Sequence, residues 1–393
     1  MSKINHHYVP QFYLRLFASD KYLSRKPKRI HLFNIKNSFL KENVSIKDQC
    51  YKRKFYGDTD ELENALSVFE GASSWLLTKI IEFERLPPKD SDAYHILLTL
   101  IVIQHLRTKH QADLQNEILD GFWKAVLEED IDRFTEDDWK EIIGEGVKPF
   151  TKDELSKYKI GITNPAGFSL ALLNSSIIGF LNDLESHLVL LSGHQHLITS
   201  DNPVVTYNQY YQWMKEMSNA GLAGIGLQIF LPISPHCLLI LYDKNIYHVS
   251  GNQKITHGIS DKDLQSINLL QYANADQNMF FDSLEQSSHI QSMHVFARRL
   301  RQGNKVKTLK FDAVKTSLQN EESVLFTSFI QTPNIRLDLS FMKIKRSAKK
   351  VTVRERLNSR YRKDLPDDTS NYDPPPNTPK LFARRREMEK KLS

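Results

Sequence analysis

The chain has 393 residues and a formal net charge of +6; with 40% apolar and 25% charged residues it is too hydrophobic to be disordered throughout. Its two cysteines, Cys50 and Cys237, are too few for a disulfide scaffold or a cysteine-rich zinc module. The most apolar stretch, residues 96–103, is shorter than the ~20 residues that cross a bilayer and residues 1–5 do not resemble a signal peptide, so we expect a cytoplasmic protein with no membrane partner.

The first part of the chain predicts helices. Residues 12–17 predict a short helix with Pro10 at its first position, and residues 30–35 predict a strand. Apolar residues at helical spacing predict a helix over residues 61–85. Residues 92–119 predict the longest helix, which is apolar all round in its first half and is therefore expected to be buried.

Two further helices are predicted from their N-terminal residues. Thr151 and Glu154 have the spacing of a capping box. Asn164 followed by Pro165 predicts the start of a helix that runs to residue 181. Residues 1–186 are therefore expected to be rich in helix.

From residue 187 the apolar pattern becomes typical of strands. Residues 187–191 and 196–200 predict a hairpin around Ser192 and Gly193. Other strands are predicted over residues 227–233, 238–243, 247–250 and 279–281, and further strands end near residue 341. Helices are predicted from the cap at Ser260 and Asp263 to residue 275, and over residues 284–301. This order predicts an α+β fold, in which a helical N-terminal half packs on a mainly antiparallel sheet.

The end of the chain differs in charge from the rest. Residues 341–393 carry 16 Lys or Arg and 7 Asp or Glu, a net charge of +9, whereas residues 1–340 have a net charge of −3. Pro374, Pro375 and Pro376 prevent a helix interior or a central strand. We therefore predict one domain over residues 1–340, strand-rich after residue 187, and a flexible basic tail over residues 341–393.

Four motifs occur in the order in which they occur in a known family. They are HHYVPQFYLRLF at residues 6–17, QHLRT at residues 104–108, TSDNPV at residues 199–204 and LPISP at residues 231–235. Over roughly residues 4–300 the chain thus resembles a large, mostly bacterial family named domain of unknown function 4238. The family name supplies no activity, and the genomes in which such proteins occur imply an accessory or defence role.

The histidine pair at the start of the first motif is a candidate site. His6 and His7 precede a predicted helix start, where free backbone N–H groups favour anions. An imidazole can bind a metal or move protons near neutral pH. Adjacent side chains in an extended segment point to opposite sides, so only one of the two is expected to face a given site. The alternative is that one histidine packs against the aromatic side chains of Tyr8, Phe12 and Tyr13.

Asp201 and Asn202 stand where a predicted strand ends. Held there, they are predicted to line a site as metal ligand or base. The alternative is that they form Asx turns, with Pro203 fixing the direction of the chain. His194 and His196 lie two residues apart on the same strand, so a metal site built from these histidines and Asp201 is a further hypothesis.

Gln104 and Arg107 lie one turn apart at the end of the apolar helix. An arginine fixed by a buried helix can bind a carboxylate or a phosphate through its planar guanidinium group. Glu63 and Glu70, two turns apart on the preceding helix, are the predicted partners. A structural bridge between the two helices is favoured over catalysis by Arg107.

Together these residues predict a hydrolase of nuclease type that acts on a phosphate-bearing substrate. Its predicted catalytic residues are His6, His7, Arg107, Asp201 and Asn202. The cofactor is left open, with a divalent metal such as Mg²⁺ as one candidate. The basic tail is predicted to bind nucleic acid through Lys343, Lys345, Arg346, Lys349, Lys350, Arg384, Arg385 and Arg386. The alternative is a non-catalytic module that binds nucleic acid or acts as a sensor.

Overall fold

Helices dominate the first part of the chain and strands the second, which confirms the predicted α+β class. The computed structural model describes residues 5–20, 26–132, 134–144, 151–173, 178–213, 220–301, 306–312, 324–330 and 335–350. Within these ranges no helix is long and apolar enough to cross a membrane.

The helices within the described ranges vary from one turn to six turns in length. In chain order they are α1 (Gln11–Arg15), α2 (Glu61–Phe83), α3 (Asp92–Leu106), α4 (Lys109–Asp130), α5 (Glu136–Ile143), α6 (Lys152–Leu155), α7 (Pro165–Ala171), α8 (Asp261–Asn274) and α9 (Ser287–Ala297). The capping boxes predicted at Thr151 and Ser260 are both confirmed, because each side chain accepts from the backbone N–H of the acidic residue three positions later.

Within the part of the chain that the structure describes, the strands form two larger sheets and three pairs. They are β1 (Asn5–His7), β2 (Arg29–Asn34), β3 (Phe39–Ser45), β4 (Tyr51–Arg53), β5 (Glu185–Leu190), β6 (Thr199–Ser200), β7 (Val205–Tyr207), β8 (Gln228–Ser234), β9 (Cys237–Tyr242), β10 (Tyr247–Val249), β11 (Ile255–His257), β12 (Asn278–Phe281), β13 (Val306–Asp312), β14 (Val324–Ile330) and β15 (Met342–Ile344).

The strand order in the two larger sheets is β11-β5-β9-β8-β7 and β3-β2-β12-β6. All neighbours in them are antiparallel except β11 and β5, which are parallel. The remaining pairs, β1–β4, β10–β15 and β13–β14, are antiparallel. The sheets are therefore mainly antiparallel, as predicted.

The five-stranded sheet separates the two largest parts of the core. Because successive side chains of a strand alternate between faces, Leu188, Ile229 and Leu239 pack in the same cluster as residues of α1, α2 and α3. Val189, Phe230 and Ile240 point the other way, towards residues of α8 and residues 335–348. Both faces are covered, which explains why every residue of β8 and β9 is buried.

The predicted long helix over residues 92–119 is wrong. The chain forms two helices, α3 and α4, which are separated at Arg107 and Thr108. The hydroxyl of Thr108 accepts a hydrogen bond from the backbone N–H of Gln111 and so caps a new helix. The first helix is buried all round, as predicted from its apolar sequence.

The predicted hairpin over residues 187–200 is also wrong. β5 pairs with β9 and β11 in the five-stranded sheet, whereas β6 pairs with β12 in the four-stranded sheet. The helix predicted from Pro165 to residue 181 is shorter, since α7 ends at Ala171. Residues 174–177, within that prediction, lie outside the described residues.

The first residues of the predicted tail pack onto the body. β15 pairs with β10, and the side chains of Phe341, Met342 and Ala348 are buried. Residues 351–393 lie outside the described residues. The described body therefore reaches residue 350.

Candidate functional site

The two histidines of the pair have opposite environments, because β1 is an extended strand that pairs with β4. The His6 ring is buried and stacks on Tyr56, with ring centroids 5.4 Å apart and an angle of 9° between the planes. Its Nδ1 accepts a hydrogen bond of 3.1 Å from the backbone N–H of Tyr56. His7 points the other way and lines a cavity. The two side chains therefore point to opposite sides of the strand, as predicted, and His7 is the one that lines the cavity.

The ring of His7 has two polar neighbours at the same nitrogen. Its Nε2 lies 3.0 Å from the backbone carbonyl oxygen of Lys47 and 3.4 Å from the amide nitrogen of Gln11. The shorter contact is to an oxygen that can only accept, so it favours the tautomer with the hydrogen on Nε2 and the lone pair on Nδ1. Burial lowers the pKa of His7 below the usual 6.5, against the opposing effects of the Lys47 carbonyl and the Glu70 carboxylate. His7 is therefore a neutral imidazole at neutral pH.

The cavity beside His7 has a volume of about 710 Å³ and lies between β1, α1 and α2. We call it the His7 cleft and define it by its charged and titratable lining residues, which are His7, Arg15, Lys47, Asp48, Tyr51, Glu63 and Glu70. An Nη of Arg15 donates to Gln11 Oε1 at 3.0 Å. Its Nε is buried and makes no hydrogen bond within the part of the chain that the structure describes. The cleft is thus lined by a guanidinium group, whose Nε is itself shielded from the cavity.

Arg107 lies behind one wall of the His7 cleft. It is 1% exposed, and its Nη1 donates to Glu70 Oε1 at 2.9 Å. Its Nε donates to Gln104 Oε1 at 3.1 Å, and Gln104 Nε2 donates to the carbonyl oxygen of Tyr8 at 3.2 Å. The predicted contact between Arg107 and Glu70 is therefore present, and it joins α2 to the end of α3.

Asp201 holds the loop between α8 and β12. Its Oδ1 accepts from the backbone N–H of Asp276 at 2.7 Å, and its Oδ2 accepts from those of Gln277 and Asn278 at 2.8 and 2.9 Å. Burial, followed by the nearby Asp276 carboxylate, raises the pKa of Asp201 to about 6 in spite of these three hydrogen bonds. Asp201 is 1% exposed, and its carboxylate is directed at backbone N–H groups.

Asn202 joins the start of α4 to the end of α8. Its Oδ1 accepts from Thr108 Oγ1 at 2.9 Å, and its Nδ2 donates to the carbonyl oxygen of Asn274 at 2.9 Å. We call Asp201 and Asn202, with these partners, the Asp201–Asn202 junction. The Tyr13 hydroxyl of the first motif lies 2.8 Å from Thr199 Oγ1 and 2.6 Å from the carbonyl oxygen of Pro232, so hydrogen bonds join all four sequence motifs.

The five predicted catalytic residues thus fall into three positions. Among the described residues that line the His7 cleft, His7 is the one that was predicted as catalytic. Arg107 contacts the cleft through Glu70. His6, Asp201 and Asn202 are buried against their own partners. Their catalytic roles stay predictions.

Sequence reasoning did not predict Arg15 and Lys47, among other residues of the cleft, as site residues. Arg15 lies one helical turn after Gln11, on the helix that follows the histidine pair, and this spacing could have indicated it. Lys47 contributes its backbone carbonyl to His7 from a 3-10 helix over Ile46–Asp48. No local pattern indicates that contact, because it depends on the tertiary position of the segment.

The predicted metal set of His194, His196 and Asp201 is not assembled. His194 is exposed, and Asp201 is directed at the backbone of residues 276–278. Among the described residues, one group of His, Cys, Asp or Glu side chains has the geometry to hold a metal ion, and it consists of His196, His236 and Asp282. His196 was part of the predicted metal set, whereas His236 and Asp282 lie much further along the chain.

The described residues of the basic tail are partly engaged by the body. Lys343 Nζ pairs with Asp338 at 3.0 Å, and Lys345 Nζ donates to the carbonyl oxygen of Lys244 at 2.6 Å. Arg346 and Lys349 are exposed. The predicted residues Arg384, Arg385 and Arg386 lie outside the described residues.

Comparison with known proteins identifies a family and no activity. The model of a family described as protein of unknown function (DUF4238) matches residues 5–285. None of the curated proteins and none of the solved structures matches the chain.

Proposed function

The chain belongs to the DUF4238 family of proteins of unknown function, and we propose that it is a hydrolase of nuclease type that cleaves a phosphate ester in the His7 cleft. One observation carries this proposal. An imidazole that is neutral at neutral pH and a guanidinium group line the same cavity of about 710 Å³. A base and an anion ligand in one cleft are what hydrolysis of a phosphate ester requires.

His7 is the general base in this proposal. Its Nδ1 takes a proton from a water molecule as the water oxygen attacks phosphorus, and the bond from phosphorus to the leaving oxygen breaks. The hydrogen bond from Nε2 to the Lys47 carbonyl is strengthened as the ring becomes positive, so it stabilises the protonated form. A base whose pKa lies below neutrality is mostly in its proton-accepting form at pH 7, which fits the lowered pKa of His7.

Arg15 binds the non-bridging oxygens of the phosphate. A planar guanidinium group suits these oxygens, and the side chain of Arg15 lines the cleft. Glu70 is fixed by the buried Arg107 and lies on the same face of α2 as Glu63. These two glutamates offer the carboxylate oxygens that Mg²⁺ prefers, and we place the predicted divalent ion beside them.

The other predicted catalytic residues act by position in this account. Arg107 holds Glu70, and Asp201 and Asn202 fix the ends of α4 and α8. His6 anchors the β1 strand on Tyr56 and so sets the direction in which His7 points. The cytoplasmic location and the accessory or defence role remain part of the proposal.

The test is hydrolysis of bis(p-nitrophenyl) phosphate and of a fluorescent single-stranded oligonucleotide, with Mg²⁺ present and after chelation. His7→Gln should lower kcat by about 10²- to 10⁴-fold, since it removes a general base. Arg15→Met should be similarly harmful, because it removes the ligand of the phosphate. His257→Gln, on the exposed face of β11, is the matched control and should keep wild-type rates. Wild-type rates for His7→Gln, or no hydrolysis by the wild type, would reject the proposal.

The second candidate function is non-catalytic binding of nucleic acid. The net charge of +9 over residues 341–393 favours it. In that case the wild type binds an oligonucleotide with an affinity that falls with salt concentration, and His7→Gln binds equally well. The two candidates separate cleanly, because the first depends on the cleft and the second on the tail.

A further inference from the structure

Two imidazoles and a carboxylate converge at a second place in the fold. His196 lies between β5 and β6, His236 lies in the turn between β8 and β9, and Asp282 directly follows β12. One ligand atom from each of the three residues lies within 4.8 Å of the others. The group therefore connects the five-stranded sheet with the four-stranded sheet. The His7 cleft is lined by other residues.

His236 is oriented as metal-bound histidines are. Its Nδ1 lies 3.1 Å from the backbone carbonyl oxygen of Gln195. Since this oxygen can only accept, Nδ1 carries the hydrogen and Nε2 carries the lone pair that a metal needs. A hydrogen bond from the second ring nitrogen to a carbonyl or carboxylate is the usual outer support of a histidine ligand.

His196 and Asp282 are already in contact. The imidazole Nδ1 lies 3.0 Å from Asp282 Oδ1, which also accepts from Gln286 Nε2 at 2.9 Å. The rings of His196 and His236 are 4.5 Å apart between centroids. The side chains of His196 and Asp282 are 16% and 20% exposed, so an ion can reach them and still be largely shielded from water. Metal binding would release the proton shared by this pair.

The backbone around the group is fixed independently of any ion. The N–H of Leu197 donates to the carbonyl oxygen of Pro235 at 2.8 Å, and that of Leu191 donates to the carbonyl oxygen of His236 at 2.8 Å. Asn268 Nδ2 donates to the carbonyl oxygen of His196 at 3.0 Å. The three side chains are thus presented by segments that are already joined, so that rotation of half-buried side chains is enough to close around an ion.

We propose that His196, His236 and Asp282 bind one divalent transition-metal ion of the Zn²⁺ class. Two nitrogen donors favour Zn²⁺ over Mg²⁺ or Ca²⁺, which prefer oxygen donors. Three protein ligands leave one tetrahedral position for water or a further ligand. The ion links the two sheets at the ends of their strands, so it stabilises the folded chain in proportion to its binding.

The experiment uses the full chain, stripped with a chelator and returned to metal-free buffer. Zn²⁺ is titrated against a chromophoric competitor, and Co²⁺ is added separately to record visible absorption bands. We expect one tight Zn²⁺ equivalent, a rise in Tm on adding it, and Co²⁺ bands that Zn²⁺ abolishes and Mg²⁺ does not. His236→Gln should weaken Zn²⁺ binding by at least about 100-fold.

His194→Gln is the matched control, because His194 lies in the same segment and is exposed. It should bind Zn²⁺ as the wild type does. Asp282→Asn is the second variant; its amide oxygen can still accept from Gln286, so it tests the site if His236→Gln fails to fold. The absence of a tight Zn²⁺ equivalent in the wild type would overturn the proposal. Wild-type Zn²⁺ affinity in both His236→Gln and Asp282→Asn would also overturn it. Loss of binding in His194→Gln would overturn this ligand set.

Discussion

The His7 cleft and the Asp201–Asn202 junction are both polar, and both come from motifs that stand out in the sequence. They differ in where their hydrogen bonds go. At the junction, both oxygens of Asp201 and both polar atoms of Asn202 have partners inside the protein. In the cleft, the side chains of His7 and Arg15 line a cavity. A polar group whose hydrogen bonds all go to the protein supports the fold, whereas one that faces a cavity is suited to bind a ligand.

The largest stability effect is expected where the two regions meet, at Glu70. Glu70→Gln removes the charge that compensates the buried Arg107, so it should lower the free energy of unfolding by about 2–4 kcal/mol. Chemical denaturation measures this loss. Glu63→Gln, two turns earlier on the same face of α2, is the control and should cost much less. Equal losses for both variants would mean that the bridge to Arg107 does not stabilise the fold.

The next largest effect is expected at the junction. Asp201→Asn replaces one carboxylate oxygen by an NH₂ group that faces a backbone N–H, so one or two buried donors lose their acceptor. We expect a loss of about 1–3 kcal/mol in the free energy of unfolding. Asp58→Asn, at an exposed position, provides the baseline. An unchanged midpoint for Asp201→Asn would show that the amide satisfies the same loop and that the carboxylate has another purpose.

A smaller effect is expected in the pH dependence of the hydrolysis rate, which should follow the His7 cleft and not the Asp201–Asn202 junction. Only neutral His7 can act as a base, so the rate of hydrolysis should rise with pH through the pKa of His7. Because burial lowers that pKa, the midpoint of the acid limb should lie below pH 6.5. Initial rates of phosphodiester hydrolysis between pH 4 and 8 measure it, and residual activity of His7→Gln should lack this limb. A midpoint above 6.5 would assign the limb to another group.

The smallest effect is expected in the tail. Deletion of residues 351–393, which the sequence predicts to be part of a flexible basic tail, should change the free energy of unfolding by no more than about 0.5 kcal/mol. Deletion from residue 345 should cost more, since Tyr210 donates to the Ala348 carbonyl oxygen and Lys345 donates to that of Lys244. Oligonucleotide binding of the shorter chain should lose its steep salt dependence. A salt slope equal to that of the full chain would show that the tail does not bind the polyanion.

The sequence predicts local structure well where a local signal exists. The Ser260 cap fixes the start of α8, and the apolar runs fix β8, β9 and β12. The break between α3 and α4 was missed because the continuous apolar pattern predicts one helix. In the structure a single capping residue, Thr108, begins a new helix. The hairpin was predicted because β5 and β6 are near in sequence, but their partners β9 and β12 are distant. Adjacency in the chain gives no information about which sheet a short strand joins.

The same difference between local sequence signals and tertiary contacts applies to the candidate sites. Strand alternation at His6 and His7 predicts that one ring points inward and one outward, although it does not indicate which. By contrast, His196 and Asp282 are 86 residues apart, so their contact follows from tertiary structure and not from spacing. For this reason the sequence predicted Asp201 as the carboxylate beside His196, whereas in the structure that carboxylate is Asp282.

The most direct test compares His7→Gln with Asp201→Asn in one assay. The rate of phosphodiester hydrolysis is divided by the folded fraction, which denaturant unfolding determines for each variant. We predict that His7→Gln is as stable as the wild type and at least about 100-fold slower, while Asp201→Asn is less stable but retains the wild-type rate per folded molecule. A wild-type rate for His7→Gln together with loss of activity in folded Asp201→Asn would contradict this account, because it would place the chemistry at the junction and not in the cleft.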